Sequence, residues 1–246
     1  MSSAREVTDN VFQLGTRHIN WFVVADNGAL TVVDAGLPRY WPQLTDLLSQ
    51  IGCSVSDIEA VLLTHGDADH LGTAQRIAAT GGARVFIHEE DQPLAERQVK
   101  APAPRLPLWR LKVAAFMTHS LSHGITRYPA ISPTLPLRSG TRLDVPGNPL
   151  AVHTPGHTRG SVCFAFDCHD AVFVGDAMVN LDPATYSPGL SVGPDAITAD
   201  RKAAVASLTH LEDLTHRTVL FGHGDPIYIG IGEAARQARA AYEEGR

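Results

Sequence analysis

Apolar and polar positions along the first ninety residues alternate in two ways. Short apolar runs rich in β-branched residues are typical of strands, and longer segments with an apolar stripe are typical of helices. The predicted elements are strands at 11–14, 19–24 and 30–34, a helix at 42–50, a strand at 60–63, a helix at 70–79 and a strand at 84–87. Asn27-Gly28 is a hairpin turn signal between the second and third strands. The later alternation predicts βαβ units and an α/β fold.

The second part of the chain returns to this alternation after a long proline-rich stretch. Residues 92–149 hold nine of the sixteen prolines. Beyond them the pattern predicts strands at 150–153, 161–166, 171–174 and 218–221, and helices near 199–211 and 233–243. We therefore predict a single domain over residues 1–246, with a proline-rich helical insertion at about 92–149.

Inside the insertion, residues 106–118 form an apolar segment that includes Phe116 and Met117. The segment predicts a helix that is apolar on most sides, so another surface must cover it. It is either a lid or wall above a functional site, or a packing or dimer contact, and we favour the second interpretation. His119 and His123 are four residues apart and can share one helical face. We interpret them as hydrogen-bonded or solvated histidines rather than as a further metal site.

Candidate metal ligands follow one of the predicted strands closely. The strand at 60–63 leads into the sequence Thr-His-Gly-Asp-Ala-Asp-His at 64–70. If the chain stays extended there, His65, Asp67 and Asp69 face one side, and His70 opens the next helix. One short segment is therefore predicted to direct two imidazoles and two carboxylates at neighbouring metal ions.

The same design recurs at three further strand ends. His157, Asp176 and His223 each follow an apolar run, and a glycine precedes each of them. Open α/β sheets place their sites at the carboxyl ends of strands, and glycine lets the backbone approach a crowded centre. A single histidine at a strand end is usually structural, but four strand ends with one design predict a common site.

In the order of these motifs the chain resembles the metallo-β-lactamase superfamily. The resemblance covers most of the chain, from the N-terminal strands and Asp34-Ala35-Gly36 to His223. It implies an αββα four-layer sandwich and a centre that holds two divalent metal ions, of which zinc is the leading candidate. By resemblance, one ion would be bound by His65, residue 67 and His157, the other by Asp69, His70 and His223, and Asp176 would bridge the two.

The chain departs from the family's His-x-His-x-Asp-His pattern at the second histidine, where Asp67 stands. Zinc also accepts carboxylate oxygen, so we expect Asp67 to be a ligand. The alternative is that Asp67 points away and a single ion binds at Asp69, His70 and His223. Three carboxylates weaken the Lewis acidity of the centre and suit iron or manganese better than the usual ligands do. We expect Asp34 to orient the ligands through hydrogen bonds.

The resemblance and the ligands together favour a metallo-hydrolase that cleaves an ester, lactone, thioester or amide bond of a small molecule. A metal-bound hydroxide would be the nucleophile, and Asp69 would position the water and carry its proton. Two alternatives remain: a non-haem iron oxidoreductase of the same fold, such as a persulfide dioxygenase, and a non-catalytic binding module. Arg159 and Tyr186 are candidates for substrate contact, although we favour an ordinary surface position for Arg159, which could otherwise meet an anionic group. Tyr186 lies in the loop-rich stretch 180–194, which is either a rim of the site or a structural loop.

Charge and cysteine content narrow the biological setting. The net charge is −6, the isoelectric point is about 6.0, and Lys and Arg are scattered, which argues against a nucleic-acid partner. The N-terminus lacks the apolar region of a signal peptide, and no apolar run approaches the length of a membrane span. The odd set Cys53, Cys163 and Cys168 is typical of reduced thiols. We expect a cytoplasmic protein with a small-molecule substrate, no membrane or nucleic-acid partner, and homodimerisation as an open alternative.

Overall fold

A computed structural model of the protein describes residues 4–16, 18–100, 106–183 and 185–245. In chain order the strands are β1 (Arg5–Thr8), β2 (Val11–Gly15), β3 (Asn20–Asp26), β4 (Ala29–Val33), β5 (Ile58–Leu62), β6 (Arg84–His88), β7 (Leu135–Leu137), β8 (Leu150–His153), β9 (Val162–Phe166), β10 (Ala171–Gly175), β11 (Val179–Leu181), β12 (Pro188–Ser191) and β13 (Thr218–Phe221). The α-helices are α1 (Trp41–Gln50), α2 (Ala74–Gly81), α3 (Gln92–Ala95), α4 (Leu111–Ser122), α5 (Arg201–Ser207) and α6 (Ile231–Glu243).

Two mixed sheets form the centre of the molecule. The first has the strand order β1-β2-β3-β4-β5-β6-β7, antiparallel up to β4 and parallel from β4 onwards. The second has the order β13-β10-β9-β8, in which β10 and β13 run parallel. Strands β11 and β12 form a separate antiparallel pair. The parallel pairs place the carboxyl ends of β4 and β5, and of β10 and β13, side by side.

Alternating residues of β3 show how the first sheet is covered on both faces. Trp21 and Val23 lie in a cluster with apolar residues of α1, α2 and α4. Phe22 and Val24 lie in a second cluster that is shared with β9 and β10 of the other sheet. The rings of Phe22 and Phe173 meet edge to face, 5.1 Å apart between centroids. Period-two alternation thus puts one set of side chains against helices and the other between the sheets.

Helices α5 and α6 cover the outer face of the second sheet. Cys163 and Val172 of that sheet lie in one cluster with Ala204 of α5 and Ala235 of α6. Cys163 is fully buried, as its place in a strand pattern predicts. The order of layers is helices, sheet, sheet, helices, so the predicted αββα sandwich is confirmed.

Two predicted helices begin later than their sequence patterns indicate. The helix predicted at 70–79 begins at Ala74 as α2, and the helix predicted at 106–118 begins at Leu111 as α4 and continues to Ser122. Proline and turn residues occupy the start of the second pattern, where the N–H of Arg110 bonds to the carbonyl of Pro107. Short strands β1, β7, β11 and β12 have three or four residues each and gave too weak a pattern to be predicted.

The helices of the described ranges are too short or too polar for a membrane span.

Candidate metal centre

Seven histidine and aspartate side chains converge where strands of the two sheets end. Those from the first sheet follow β5, which ends at Leu62. Those from the second follow β8, β10 and β13. The sheets are joined here, because the N–H of Val162 donates to the carbonyl of Thr64 at 2.8 Å. In chain order the seven are His65, Asp67, Asp69, His70, His157, Asp176 and His223.

The segment that carries the first four of these residues is a turn, so the prediction of an extended chain leading into a helix at His70 is wrong. The N–H of His70 bonds back to the carbonyl of Asp67 at 3.0 Å. The carbonyl of His70 accepts the N–H of Ala35 at 2.7 Å, and the N–H of Thr73 donates to the carbonyl of Ala35. In a helix from His70 the carbonyl of His70 would accept the N–H of Ala74, but here it accepts that of Ala35 and the N–H of Ala74 bonds to Leu71, so the helix starts later.

The candidate ligand atoms fall into three overlapping groups, and within each group the atoms lie within 4.8 Å of one another. Two of these groups, here called the triads, correspond to the division implied by the resemblance: His65, Asp67 and His157, and Asp69, His70 and His223. The third group is His65, His70 and Asp176. Asp176 lies between the two triads. Its carboxylate oxygens are 3.8 Å from Nε2 of His157, 3.1 Å from Nε2 of His223 and 3.7 Å from Nε2 of His70.

Asp34 holds the residues around the centre in place through hydrogen bonds. Its carboxylate accepts hydrogen bonds from Nδ1 of His70 at 2.9 Å and from the backbone N–H and the hydroxyl of Thr64. The Thr64 hydroxyl, which donates to Asp34, is 2.9 Å from Nδ1 of His65 and accepts from it. Asp34 is buried, and these bonds fix the imidazole of His70 directly and that of His65 through Thr64.

The imidazoles present Nε2 to the centre. The Nδ1 atoms of three of them are bonded elsewhere: that of His223 bonds to the carbonyl of His18. Nδ1 of His65 bonds to the hydroxyl of Thr64, and Nδ1 of His70 bonds to the carboxylate of Asp34. Nε2 of His65, Nε2 of His70 and Oδ1 of Asp176 are buried, and none of these atoms has a hydrogen-bond partner among the described residues. A buried nitrogen or oxygen atom without a partner costs folding free energy unless a ligand binds it. This donor set fits divalent metal ions, so the residues present can hold them.

Burial and close charges shift the pKa values of these groups strongly. Burial lowers the pKa of His70, but the Asp34 and Asp176 carboxylates outweigh it and raise the value to about 10. Burial likewise opposes the rise for His223, where Asp176 raises the pKa to about 9. For His65, burial and the neighbouring His70 lower the pKa to about 3. A metal ion must displace the protons on His70 and His223 below these pKa values, so its affinity should fall as pH falls.

Glycines before the ligands leave room for them. A Cβ at Gly222 would lie 2.2 Å from Oδ1 of Asp176 and 2.6 Å from Cε1 of His70. A Cβ at Gly175 would lie 2.4 Å from the hydroxyl of Thr64, and φ there is +50°. Side chains at these positions would push into the ligands or their supports, as the sequence pattern predicted.

Asp91 is a supporting residue that the sequence analysis missed. It lies just beyond β6 and is 1% exposed. One carboxylate oxygen accepts from the N–H of Gly66 at 2.8 Å and from the hydroxyl of Thr158 at 2.6 Å, and the other accepts from the N–H of Gly160 at 2.9 Å. Asp91 thus ties the turn that carries His65 to the loop that carries His157.

Replacing Asp91 with asparagine should loosen the centre without changing its size. The new amide would place N–H groups against one of the N–H donors that the carboxylate now satisfies, at a cost of about 1–3 kcal/mol. We expect a lower free energy of unfolding in urea and weaker metal retention against a chelator. Glu90→Gln, at the exposed neighbouring position, is the matched control. Equal stability and metal retention in Asp91→Asn and wild type would contradict this role.

A cavity of about 650 Å³ lies over the two triads. Its floor includes Asp67, Asp69 and His223. Helix α4 forms part of a wall through Phe116 and Met117. The favoured interpretation of the insertion as a packing or dimer contact was therefore wrong for this face of the helix, because two of its apolar side chains face the cavity.

The two candidate substrate contacts differ in position. Arg159 lines the cavity, whereas Tyr186 is buried and is not among the described residues that line it. The hydroxyl of Tyr186 bonds to Nδ1 of His18 at 2.7 Å, and the backbone carbonyl of the same His18 bonds to Nδ1 of His223. From the loop-rich stretch 180–194, Pro183 reaches the cavity, and residues 195–199 beyond it also contribute.

His119 and His123 stack on one another, 4.0 Å between ring centroids. Nε2 of His119 bonds to the hydroxyl of Tyr40 at 2.6 Å, and Nδ1 of His123 bonds to the carbonyl of His119. The pair is hydrogen-bonded, in agreement with the interpretation from sequence.

Comparison with known proteins gives the same superfamily and fold. The sequence model of the metallo-beta-lactamase superfamily matches residues 14–223. The uncharacterized protein ML0493 of Mycobacterium leprae (strain TN) is 33% identical over 224 residues, which cover 89% of this chain and 92% of that protein. The probable metallo-hydrolase YflN of Bacillus subtilis (strain 168) is 25% identical over 205 residues, which cover 81% of this chain and 76% of that one.

A solved structure, TTHA1623 in a di-iron-bound form, superposes with a TM-score of 0.64 at 29% identity, covering 92% of this chain and 96% of that one. The family match, the sandwich and the two triads of histidine and aspartate agree with one another. The chain belongs to the metallo-β-lactamase superfamily.

Proposed function

We propose that the protein is a metal-dependent hydrolase that cleaves an ester, lactone, thioester or amide bond of a small molecule. The observation that carries the proposal is the pair of triads, which lie at the floor of one cavity and share Asp176 between them. The superfamily match and the similarity to a probable metallo-hydrolase support a hydrolase at a coarse level.

We propose that the centre takes two divalent ions. His65, Asp67 and His157 would hold one, Asp69, His70 and His223 the other, and Asp176 would contact both. Zinc is the leading candidate, and the carboxylate-rich donor set also suits iron or manganese. When bound, such ions lower the pKa of a water molecule and polarise a carbonyl group.

In the proposed reaction Asp69 handles the proton. Its carboxylate lines the cavity, is 15% exposed and lies 3.7 Å from Nε2 of His223. An oxygen of Asp69 would accept a hydrogen bond from the attacking water, orient it towards the carbonyl carbon and take its proton. The same carboxyl group would then deliver that proton to the leaving group. Asp34 and Asp91 would act only through the residues they hold in place.

The direct test is hydrolysis by metal-replete protein. Purified protein would be assayed with neutral aryl esters, thioesters, lactones and amides, before and after removal of metal by a chelator. We expect turnover of at least one class that is lost with the metal and returns when metal is restored. Turnover that survives complete metal removal, or no hydrolysis of any class, would overturn the proposal.

An iron oxidoreductase is a second candidate, favoured by the similarity to a structure in a di-iron-bound form. Finding iron in this centre would not distinguish the two candidates, because iron can serve both hydrolysis and oxidation. Oxygen consumption with persulfide or thiol substrates would support this candidate if iron-loaded protein hydrolyses none of the panel. Elemental analysis of the same preparation identifies the metal.

Asp67 provides a sharp prediction about the metal centre. Its Oδ2 is 3.1 Å from Nε2 of His157 and 3.9 Å from Nε2 of His65, which is the position a ligand of the first triad requires. We expect Asp67→Ala to weaken one of two metal positions, and Asp67→His to keep or strengthen zinc there, because imidazole restores the family's usual ligand. Chelator titration measures both. Equal metal affinity in wild type and Asp67→Ala would mean that Asp67 is not a ligand.

A further inference from the structure

We propose that the cavity selects a substrate that is uncharged and carries an apolar chain next to the bond that is cleaved. The inference rests on the proposed hydrolase function and deepens it by naming the substrate class. The supporting observations are the apolar side chains and the few charged groups that line the cavity outside its floor of candidate metal ligands.

Six apolar side chains of the insertion line the cavity. They come from the described residues 94–125, on either side of the start of α4, and we call them the apolar wall. The side chains that form it are Leu94, Val99, Leu106, Phe116, Met117 and Ile125. Cavities of 300–1,000 Å³ with such walls bury most of the surface of a small ligand, and the volume here is about 650 Å³.

The apolar wall begins beside the ligands. The ring of Phe116 lies edge to face with the imidazole of His223, 6.2 Å between centroids. Met117 follows it on α4 and lines the same cavity. A carbonyl group placed over the triads would therefore have the chain on one side of it against Phe116 and Met117. Burial of that chain is favourable in proportion to its apolar area.

The charges at the cavity do not suit an anionic substrate. Besides the candidate ligands, the charged residues that line the cavity are Glu90, Asp91, Asp195 and Arg159, and Arg159 is the only lysine or arginine among the described lining residues. Asp67 replaces a neutral imidazole with a carboxylate, so with two divalent ions bound the floor would carry one positive charge less than the family's usual ligand set gives. A polyanionic group such as a nucleotide would meet three carboxylates and one guanidinium at these positions. An uncharged chain avoids that repulsion and uses the apolar wall.

A homologous series of 4-nitrophenyl esters tests the proposal. Neutral esters from acetate to octanoate would be compared with the anionic 4-nitrophenyl monoester of glutaric acid, using metal-replete protein. Each buried methylene contributes up to about fourfold, so we expect kcat/KM to rise at least tenfold from butanoate to octanoate. The anionic ester should react at least tenfold more slowly than the neutral pentanoate. A flat series, or a preference for the anionic ester, would overturn the inference.

Variants of the wall separate its role from general effects on the protein. Met117→Ala and Ile125→Ala should each reduce the preference for octanoate over butanoate several-fold while metal content stays at the wild-type value. Leu121→Ala is the matched control, because Leu121 lies on α4 but is 56% exposed and is not a described lining residue. An unchanged preference in both wall variants would overturn the inference.

Binding without turnover distinguishes failure of this inference from failure of the proposed function. The neutral fluorophore N-phenyl-1-naphthylamine would be displaced from metal-replete protein by 1-alkanols of four to ten carbons. We expect displacement to strengthen with chain length and to weaken in Met117→Ala. If this result holds while no ester is hydrolysed, the proposed hydrolase is wrong and the apolar site stands. If esters are hydrolysed but alkanols do not bind better as they lengthen, the hydrolase stands and the apolar site is wrong.

Discussion

Asp69→Ala should lower kcat/KM for any substrate that the protein hydrolyses by about 100-fold or more. This is the loss expected when a positioned group that handles a proton is removed. The substitution also removes an oxygen from the second triad, so metal content must be measured on the same sample. Asp69→Asn retains the size and one oxygen, but its amide oxygen is a far weaker base than the carboxylate. We therefore expect Asp69→Asn to keep more metal than Asp69→Ala and to remain as slow.

The comparison with Arg159→Ala separates the centre from the cavity wall. Arg159 lines the cavity but lies outside both triads, so its loss should spare metal content and at most raise KM. Rates are to be compared at equal metal occupancy. Full activity of Asp69→Ala with an intact metal centre would show that the proposed mechanism is wrong even though the fold is right.

Metal-replete protein should contain close to two divalent ions per chain, and removing them should destabilise the fold. A ligand that binds only the folded state, at a free concentration about 1,000 times its dissociation constant, raises the free energy of unfolding by about 4 kcal/mol. The effect should be large here because Nε2 of His65, Nε2 of His70 and Oδ1 of Asp176 are buried without partners among the described residues. Elemental analysis and thermal unfolding, before and after chelation, provide the measurements.

His210→Ala is the control for metal content, because His210 is exposed and belongs to neither triad. It should still hold two ions. A content near zero in the wild type, or one ion that excess metal does not change, would refute the two-metal centre. No difference in unfolding temperature between chelated and loaded protein would show that the ions do not stabilise the fold.

The sequence predicted the strands that carry the site better than the segments between them. Strands such as β3 and β10 are buried on both faces, so their apolar runs are unbroken and easy to locate. The ligands follow such strands directly, and a glycine before His157, Asp176 and His223 marks the crowding that the structure contains. The sequence pattern therefore predicts the position of a residue correctly when that position depends only on the strand that the residue follows.

Residues that act across the fold left no such signal. Asp91 is one aspartate among exposed acidic neighbours in the sequence, and only the tertiary structure brings it to Gly66 and Gly160. The start of α2 was misplaced because hydrogen bonds to the distant Ala35 decide it. Helix α4 is apolar towards both the core and the cavity, so its periodicity could not separate packing from a cavity wall.

The hydrogen bond that holds His223 joins two parts of the chain that are synthesised at different times. Its imidazole is held by the carbonyl of His18, 205 residues earlier in the chain, and the side chain of Asn20 bonds to carbonyls on both sides of it. At roughly 5–20 residues per second, a ribosome needs about 10–40 s to add that much chain. Once His70 has been added, the turn at 64–70 is already synthesised, while the first triad still lacks His157 and the second lacks His223. The nascent chain would therefore offer the proposed metal ions only a partial site until the two ends of the fold have met.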